Sequence, residues 1–495
     1  MIAMGMGSSS RRRFPSTLEM RMKASYKTVD SGYLDRRRLR PHARALHLCA
    51  MGVGAVISGD FFGWNYGLAA GGFGGLLISL MVMTAMYTGL CFSIAEMSPA
   101  LPHAGGAYSF ARTAMGPWAG YLTGLAENME YILTPAVIVI GIGGYLSAVF
   151  GTSHAWEPLW LLLCYTVFVG LNVWGVEMSF HVSIVVTLVA LAVLAVFWTG
   201  AMPHLDIARW ARPYFPAGVG KARSALVQLP FALWLYLGIE QLPLAAEESH
   251  DPQRDMPRGI LYGLLTLIVV SFLTVVLSVG IAPGAARIAT SSEPLFFGFQ
   301  TIFGPGLRTR VFALLACSGL IASFHTIIFA YGRQIYSLSR AGYFPTWLSV
   351  THGVRQTPHR ALLVGSALGY AVALTIRLTP QGSRVGAVLL NMAVLGAVLA
   401  YVFQMASLIV LRVRFATIHR PYVSPLGIGG AAGAAVIAII TLVMLFRNPD
   451  YNKGVIGAAV WFLLGAGYYA VHSRHRLVLA PEEKAAMGHR GKGSG

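Results

Sequence analysis

Charge is scarce in this chain. Only 11% of its 495 residues are Asp, Glu, Lys or Arg, against 56% hydrophobic residues, and the mean hydropathy is +0.62. A soluble protein of that length needs far more charged surface, so a soluble globular fold is excluded. Cysteine is scarce too. Cys49, Cys91, Cys164 and Cys317 all fall in apolar stretches without CxxC spacing, which excludes a disulfide framework and a cysteine zinc site. No Gly-Lys-Ser loop for cradling phosphate is present, so ATP is not the expected energy source. Neither a metal-ligand cluster nor a nucleophile–base pair stands out, and no catalysis, metal or cofactor is expected.

What fills the chain instead is apolar stretches of about twenty residues, the length that crosses a bilayer as a helix. About twelve of them recur, from 46–72 through to 454–472. The expected fold is an all-α integral membrane protein. Residues 1–44 read as a disordered cytoplasmic tail, 45–413 as a ten-helix core, 414–472 as two additional transmembrane helices and 473–495 as a cytoplasmic tail.

The net charge of +18 invites a nucleic-acid reading, but topology explains it better. With both termini in the cytoplasm, about 26 Lys and Arg fall on the inner side and about 11 outside, the asymmetry of a bacterial-type inner-membrane protein. Arg11-Arg12-Arg13, Arg36-Arg37-Arg38 and Arg40 precede the first span, and Arg412, Arg414 and Arg420 follow the tenth. They read as topology anchors, and no nucleic-acid partner is expected.

Two spans look interrupted. The first, 46–72, carries Gly52, Gly54, Gly59, Asp60 and Gly63 in its middle. The sixth, 223–246, carries Pro230, then Gly238-Ile239-Glu240, then Pro243. Broken helices at matching positions of two halves point to an inverted-repeat secondary transporter. Spans one to five and six to ten form the two repeats.

Asp60, Glu127, Glu130 and Glu240 lie within the expected spans, and no Lys or Arg lies deep inside any. A carboxylate near mid-membrane costs roughly 2.5–3.5 kcal/mol on an insertion scale. It needs a cavity, a partner or a ligand, so either protons or a visiting cation must compensate these acids. Glu127 and Glu130, three apart, share one helix face. Trp234 in the second break offers a ring for an ammonium, worth about 0.5–2 kcal/mol, or packs as core. The carbonyls of Val56 and Ile57, freed by the first break, are candidate partners for N–H donors. Asp60 is either a ligand contact or a helix cap. His181 and His325 read as satisfied core histidines or as proton relays.

Longer motifs then carry a resemblance. Glu96-Met97-Ser98-Pro99-Ala100-Leu101-Pro102-His103-Ala104-Gly105-Gly106-Ala107-Tyr108 resembles the loop after span two of the amino acid–polyamine–organocation superfamily. Gly238-Ile239-Glu240, Ala246-Glu247-Glu248 and Pro252-Gln253-Arg254-Asp255-Met256-Pro257-Arg258 match in order and spacing, as do Arg333 to Arg340 and Gly342-Tyr343-Phe344-Pro345. Within the superfamily the chain is most similar to ethanolamine permeases, on the block Ile239 to Glu248 and on Asp60.

The resemblance implies that the breaks hold the substrate, here at Val56, Ile57, Ser58, Gly59, Trp234 and Gly238; the charge inventory adds Asp60 as the ammonium contact, with Glu127 or Glu130 adding negative field. Glu240 matches a general superfamily position, which implies a gating or structural role; Glu247, Glu248, Arg254, Asp255 and Arg258 form a mixed-charge inner loop that reads either as a solvated linker or as pairing with Arg333 or Arg340 in an inner gate. Three departures matter. Amino acid carriers of this superfamily have a Gly-Ser-Gly type break whose amides receive a carboxylate; here Ser58, Gly59 and Asp60 stand there. An acid at that place repels a carboxylate by on the order of several kcal/mol at close range. Where some members carry a lysine in span five, this chain has Gly175-Val176-Glu177 and Ala190, and Ala341 replaces the Asp after span eight.

The expected function is import of ethanolamine or a related small amine by alternating access, driven by membrane potential or coupled to a proton. The partners are then that amine and the lipid bilayer, with a proton added only if transport is coupled. An amino acid or polyamine permease is the alternative, as symporter or exchanger. A transporter-like membrane sensor without net flux is the alternative of another class.

Overall fold

The computed structural model describes residues 26–27, 29, 32–291, 293–379, 382–447 and 452–479. Eleven helical segments among them are long and apolar enough to cross a membrane, and the first, Ala45–Ala100, runs 56 residues and spans the first two stretches expected from the sequence. The fold is that of an all-α membrane transporter, as its apolar runs require.

Two halves repeat the same series. The first has α1 (Ala45–Val56), α2 (Ser58–Phe61), α3 (Gly67–Ala100), α4 (Gly106–Met115), α5 (Pro117–Phe150), α6 (Glu157–Trp174) and α7 (Val176–Ala201). The second has α8 (Lys221–Leu226), α9 (Leu229–Ala232), the 3-10 turns Leu233–Leu235 and Ile239–Glu248, α10 (Pro252–Val279), α11 (Pro294–Phe303), α12 (Leu307–Arg340), α13 (His359–Leu378) and α14 (Gly382–Arg414). Each half opens on a helix in pieces. In each, a 10-residue helix (α4, α11) precedes a 34-residue one (α5, α12). The short helices sit at opposite ends of the bundle: α4 places Tyr108 against Ser337 at 2.9 Å, whereas Leu295 and Phe296 of α11 line a vestibule at the far end.

Packing follows composition. The α10 helix lies along α1 and α3, and α5 lies between α12 and α14. The start of α10 is set by Asp251, whose carboxylate accepts the Arg254 amide at 3.3 Å ahead of Pro252, the chemistry of a helix N-terminus. The added helices α15 (Gly427–Arg447) and α16 (Asn452–Val471) cover α14 from outside.

Of the segment read as a tail, residues 1–25 lie outside the described residues, as do 480–495 at the other end. From residue 32 on, the segment is held against the bundle rather than loose. Tyr33 donates to the Arg340 carbonyl at 2.9 Å, and Arg37 Nε donates to Ser349 at 2.7 Å. Buried polar partners of this kind fix a segment that sequence polarity alone marks as free. Tyr26–Lys27 also pairs in parallel with Leu477–Val478.

Candidate functional site

The two interrupted helices cross at their breaks. A Cβ at Gly59 would stand 2.0 Å from the Trp234 carbonyl oxygen, so a bare glycine is what lets the backbones meet. Gly238 takes φ 113° beside Ala55, a conformation that costs glycine little. Its amide donates to Glu240 Oε2 at 3.0 Å, closing the turn that leads into Ile239–Glu248.

A small cavity remains at the crossing. Val56, Ser58, Gly59, Glu130, Trp234 and Gly238 line it together with Tyr131 and Thr134. It offers about 10 Å³ to the centre of a water-sized sphere, the room of a single water. The crossing is therefore closed, and a substrate requires the breaks to separate.

Ile57 and Asp60 do not line that cavity. The Ile57 carbonyl, expected to be free, accepts the Asp60 amide at 3.1 Å, because the chain resumes a helical turn at once. The Ser58 amide is taken as well: it donates to Ser323 Oγ at 3.0 Å, and that hydroxyl donates to the Gly54 carbonyl at 2.9 Å. Asp60 is fully buried, and neither carboxylate oxygen has a hydrogen-bond partner among the described residues. It caps no helix. Tyr236 lies nearby, its hydroxyl sharing a hydrogen bond of 2.7 Å with Thr84.

The three glutamates do come together. Glu130 and Glu240 stand within hydrogen-bonding reach of each other, and Glu127 lies within the field of both. Gln334 Nε2 donates to Glu127 Oε2 at 2.7 Å. Around them are Tyr87 and Tyr401, whose hydroxyls are 3.0 Å apart, and Tyr131. Among the described residues, no arginine or lysine forms an ion pair with Glu127, Glu130, Glu240 or Asp60.

One end of the bundle is shut by ion pairs. Arg333 donates to Glu248 through Nε at 3.0 Å and Nη2 at 2.8 Å, with both side chains fully buried. Its guanidinium also stacks 3.6 Å from the Phe329 ring centre. Arg340 pairs with Glu247 and donates to His103 Nε2 at 2.8 Å. Burial and then the Arg340 charge hold His103 down to about 3, so its ring stands neutral beside the guanidinium. The pairing of Arg333 and Arg340 with the Glu247-Glu248 loop is thus present.

The other end is open. A vestibule of about 320 Å³ reaches Phe61 and Phe62 beside the first break, lined also by Tyr66, Tyr145 and Glu293. Burial raises the Glu293 carboxyl above the ordinary range. Sequence reading missed Glu293, which sits in a connection ahead of Pro294 and looks like loop. It also missed the tyrosines and Gln334; only the adjacency of Gln334 to Arg333 in the motif could have flagged one of them. His325 is a satisfied core histidine, bonded to the Ser179 carbonyl at 2.9 Å and near Asn172 at 3.3 Å.

Crossed broken helices in a two-fold repeated membrane bundle define a carrier of small solutes. The family model described as "Amino acid permease" matches residues 47–470, and the chain belongs to that family. It is 31% identical over 406 residues to an uncharacterized transporter of Rhizobium meliloti, covering 79% of this chain and 83% of that one. It is 24% identical over 460 residues to a branched-chain amino acid permease of Bacillus subtilis, covering 88% and 94%. A putrescine transporter of Haemophilus influenzae is 22% identical over 345 residues, covering 68% and 77%.

Proposed function

We propose that the protein carries ethanolamine or a related small primary amine across the membrane by alternating access. The observation that carries this reading is the set of four buried acids, Asp60, Glu127, Glu130 and Glu240, which among the described residues have no ion-pair partner. Such a site compensates a cation and repels a free carboxylate. The amide of Ser58, where a carboxylate would dock in amino acid carriers, already serves Ser323.

In this reading the amine enters through the vestibule past Glu293. The breaks part, and the ammonium settles between Glu130, Trp234 and the backbone at Val56 to Gly59, with Asp60 adding field from the other side of the first break. There the ammonium meets the neighbouring carboxyl groups of Glu130 and Glu240 together. The closed end carries Arg37, Arg254, Arg258 and Arg412, so by the positive-inside bias it faces the cytoplasm. Opening there requires Arg333–Glu248 and Arg340–Glu247 to separate. A negative-inside potential favours a cation's entry by about 2.3 kcal/mol per 100 mV.

The second reading is an amino acid or polyamine permease, favoured by the names of the Bacillus and Haemophilus relatives. The test is purified protein in liposomes, with labelled ethanolamine outside and with voltage and proton gradient imposed separately. Saturable accumulation above protein-free liposomes supports the amine reading. Binding without flux supports a sensor, and neither binding nor flux refutes the amine.

A further inference from the structure

The acids of the core leave three histidines unexplained. His42, just before α1, His47 in its first turn and His181 in α7 each offer a ring nitrogen, and these atoms all lie within 4.8 Å of one another. Their ring centres are 5.4, 5.7 and 6.1 Å apart. From these positions we propose that they form a binding site for a late first-row transition ion of the Zn²⁺ class, which holds the start of α1 against α7 and keeps this end of the bundle shut.

Donor chemistry points to that class. Three imidazoles with an open fourth position suit zinc, nickel or copper, whereas magnesium and calcium take oxygen ligands. His181 Nδ1–H donates to the Glu177 carbonyl at 2.9 Å, which leaves Nε2 with its lone pair for an ion; this is how ligating histidines are oriented. His47 holds the Arg44 amide at a long 3.3 Å, a bond given up when the ring turns inward. Zn–N bonds of about 2.0–2.1 Å need the three nitrogens closer than they stand, and side-chain rotation supplies that. A pocket of about 300 Å³ lined by His42, His181 and Glu177 gives an ion its approach.

The consequence follows from what His42 and Ala43 are tied to. Their amides both donate to the Glu248 carbonyl, at 2.7 and 2.8 Å, and the His250 amide donates to the Ala43 carbonyl at 2.9 Å. Glu248 is the partner of Arg333. An ion bridging His42 and His47 to His181 therefore fastens the strand of chain that must leave for this end to open. Spacing in the sequence hid the site, because α7 is remote in the chain from α1.

The test uses the full-length protein in detergent or nanodiscs, stripped with a chelator and titrated with Zn²⁺ by calorimetry and with Co²⁺ by visible absorption. One saturable site per chain is expected, with tetrahedral cobalt bands, and its loss in His181→Ala, an exposed side chain whose removal spares the core. His47→Gln is the second variant. Amide exchange over residues 42–50 and 245–250 is expected to slow with Zn²⁺ in the wild type and not in His181→Ala. Equal binding in wild type and His181→Ala, or no saturable binding, overturns the site. Binding without slower exchange overturns the fastening. Neither readout needs a transported solute, so failure here is distinct from failure of the amine reading.

Discussion

Glu130 on α5 and Glu240 after the second break bring their carboxyl groups within hydrogen-bonding reach, and among the described residues neither forms an ion pair. Each belongs to a different half of the repeat. Separation of the halves is then felt directly by the pair, which links the charge of the site to its opening. Glu130→Gln keeps a hydrogen bond to Glu240 and removes the negative charge on the cavity side. Loss of a charged contact worth about 1.5–3 kcal/mol lowers amine uptake efficiency roughly 10–100-fold. Initial-rate uptake in proteoliposomes checks this; rates equal to wild type contradict it.

Asp60→Asn preserves volume and removes a buried carboxyl group whose oxygens have no hydrogen-bond partner among the described residues. Folding and expression should be unaffected or improved, since the unpaired acid is costly in the membrane. Uptake efficiency is expected to fall at least about tenfold, about 1.4 kcal/mol. The informative comparison is thermal stability beside uptake in the same preparation. A destabilised variant with normal uptake would mean that Asp60 is a structural group.

Gly59→Ala tests the contact of the two breaks. The added methyl meets the Trp234 carbonyl at 2.0 Å, an overlap that the backbones must relieve by moving apart. Destabilisation of about 1–3 kcal/mol is expected, as for overpacked cores, with loss of uptake. Wild-type stability and uptake would show that the breaks do not close this tightly in the membrane.

At the shut end, Arg333→Met leaves Glu248 buried without its partner, and about 3–5 kcal/mol of stability should go. The double variant Arg333→Met with Glu248→Met removes both charges and should recover much of that loss. Unfolding midpoints of the three proteins decide it. If the double variant is no more stable than the single one, the cost lies in packing, with Phe329 the first suspect.

At the open end, pH should act through Glu293. Burial raises its carboxyl, so it takes up a proton at a higher pH than a free glutamate does. As pH falls the mouth of the vestibule loses its negative charge, and KM for the amine should rise. Glu293→Gln should begin with the raised KM and show a flatter pH dependence of KM. An unaltered pH profile in that variant would remove Glu293 from the path.

Much of the architecture was legible because the bilayer imposes simple rules. Apolar runs of one length marked the spans, and Gly59 with Asp60 and Gly238 with Glu240 marked the breaks. The isolation of Glu127, Glu130 and Glu240 from basic residues was legible by inventory alone. What the sequence could not show was side-chain direction. Asp60 lies outside the cavity although Gly59 lines it, because a one-residue step along a helix turns about 100°. The Ile57 carbonyl looked free because helix breaks free such groups in general, while here a new turn begins at once. Segment 32–44 looked loose because its many charges hide the few that are buried, Arg37 above all.

The central claim is that uncompensated buried acids admit an amine and turn away a carboxylate. Competition against labelled ethanolamine uptake in proteoliposomes tests it most directly, with unlabelled ethanolamine, putrescine, alanine and leucine each in large excess. Ethanolamine is expected to abolish the signal while alanine and leucine leave it intact. Strong competition by alanine or leucine, or their own saturable uptake where ethanolamine shows none, would contradict the account.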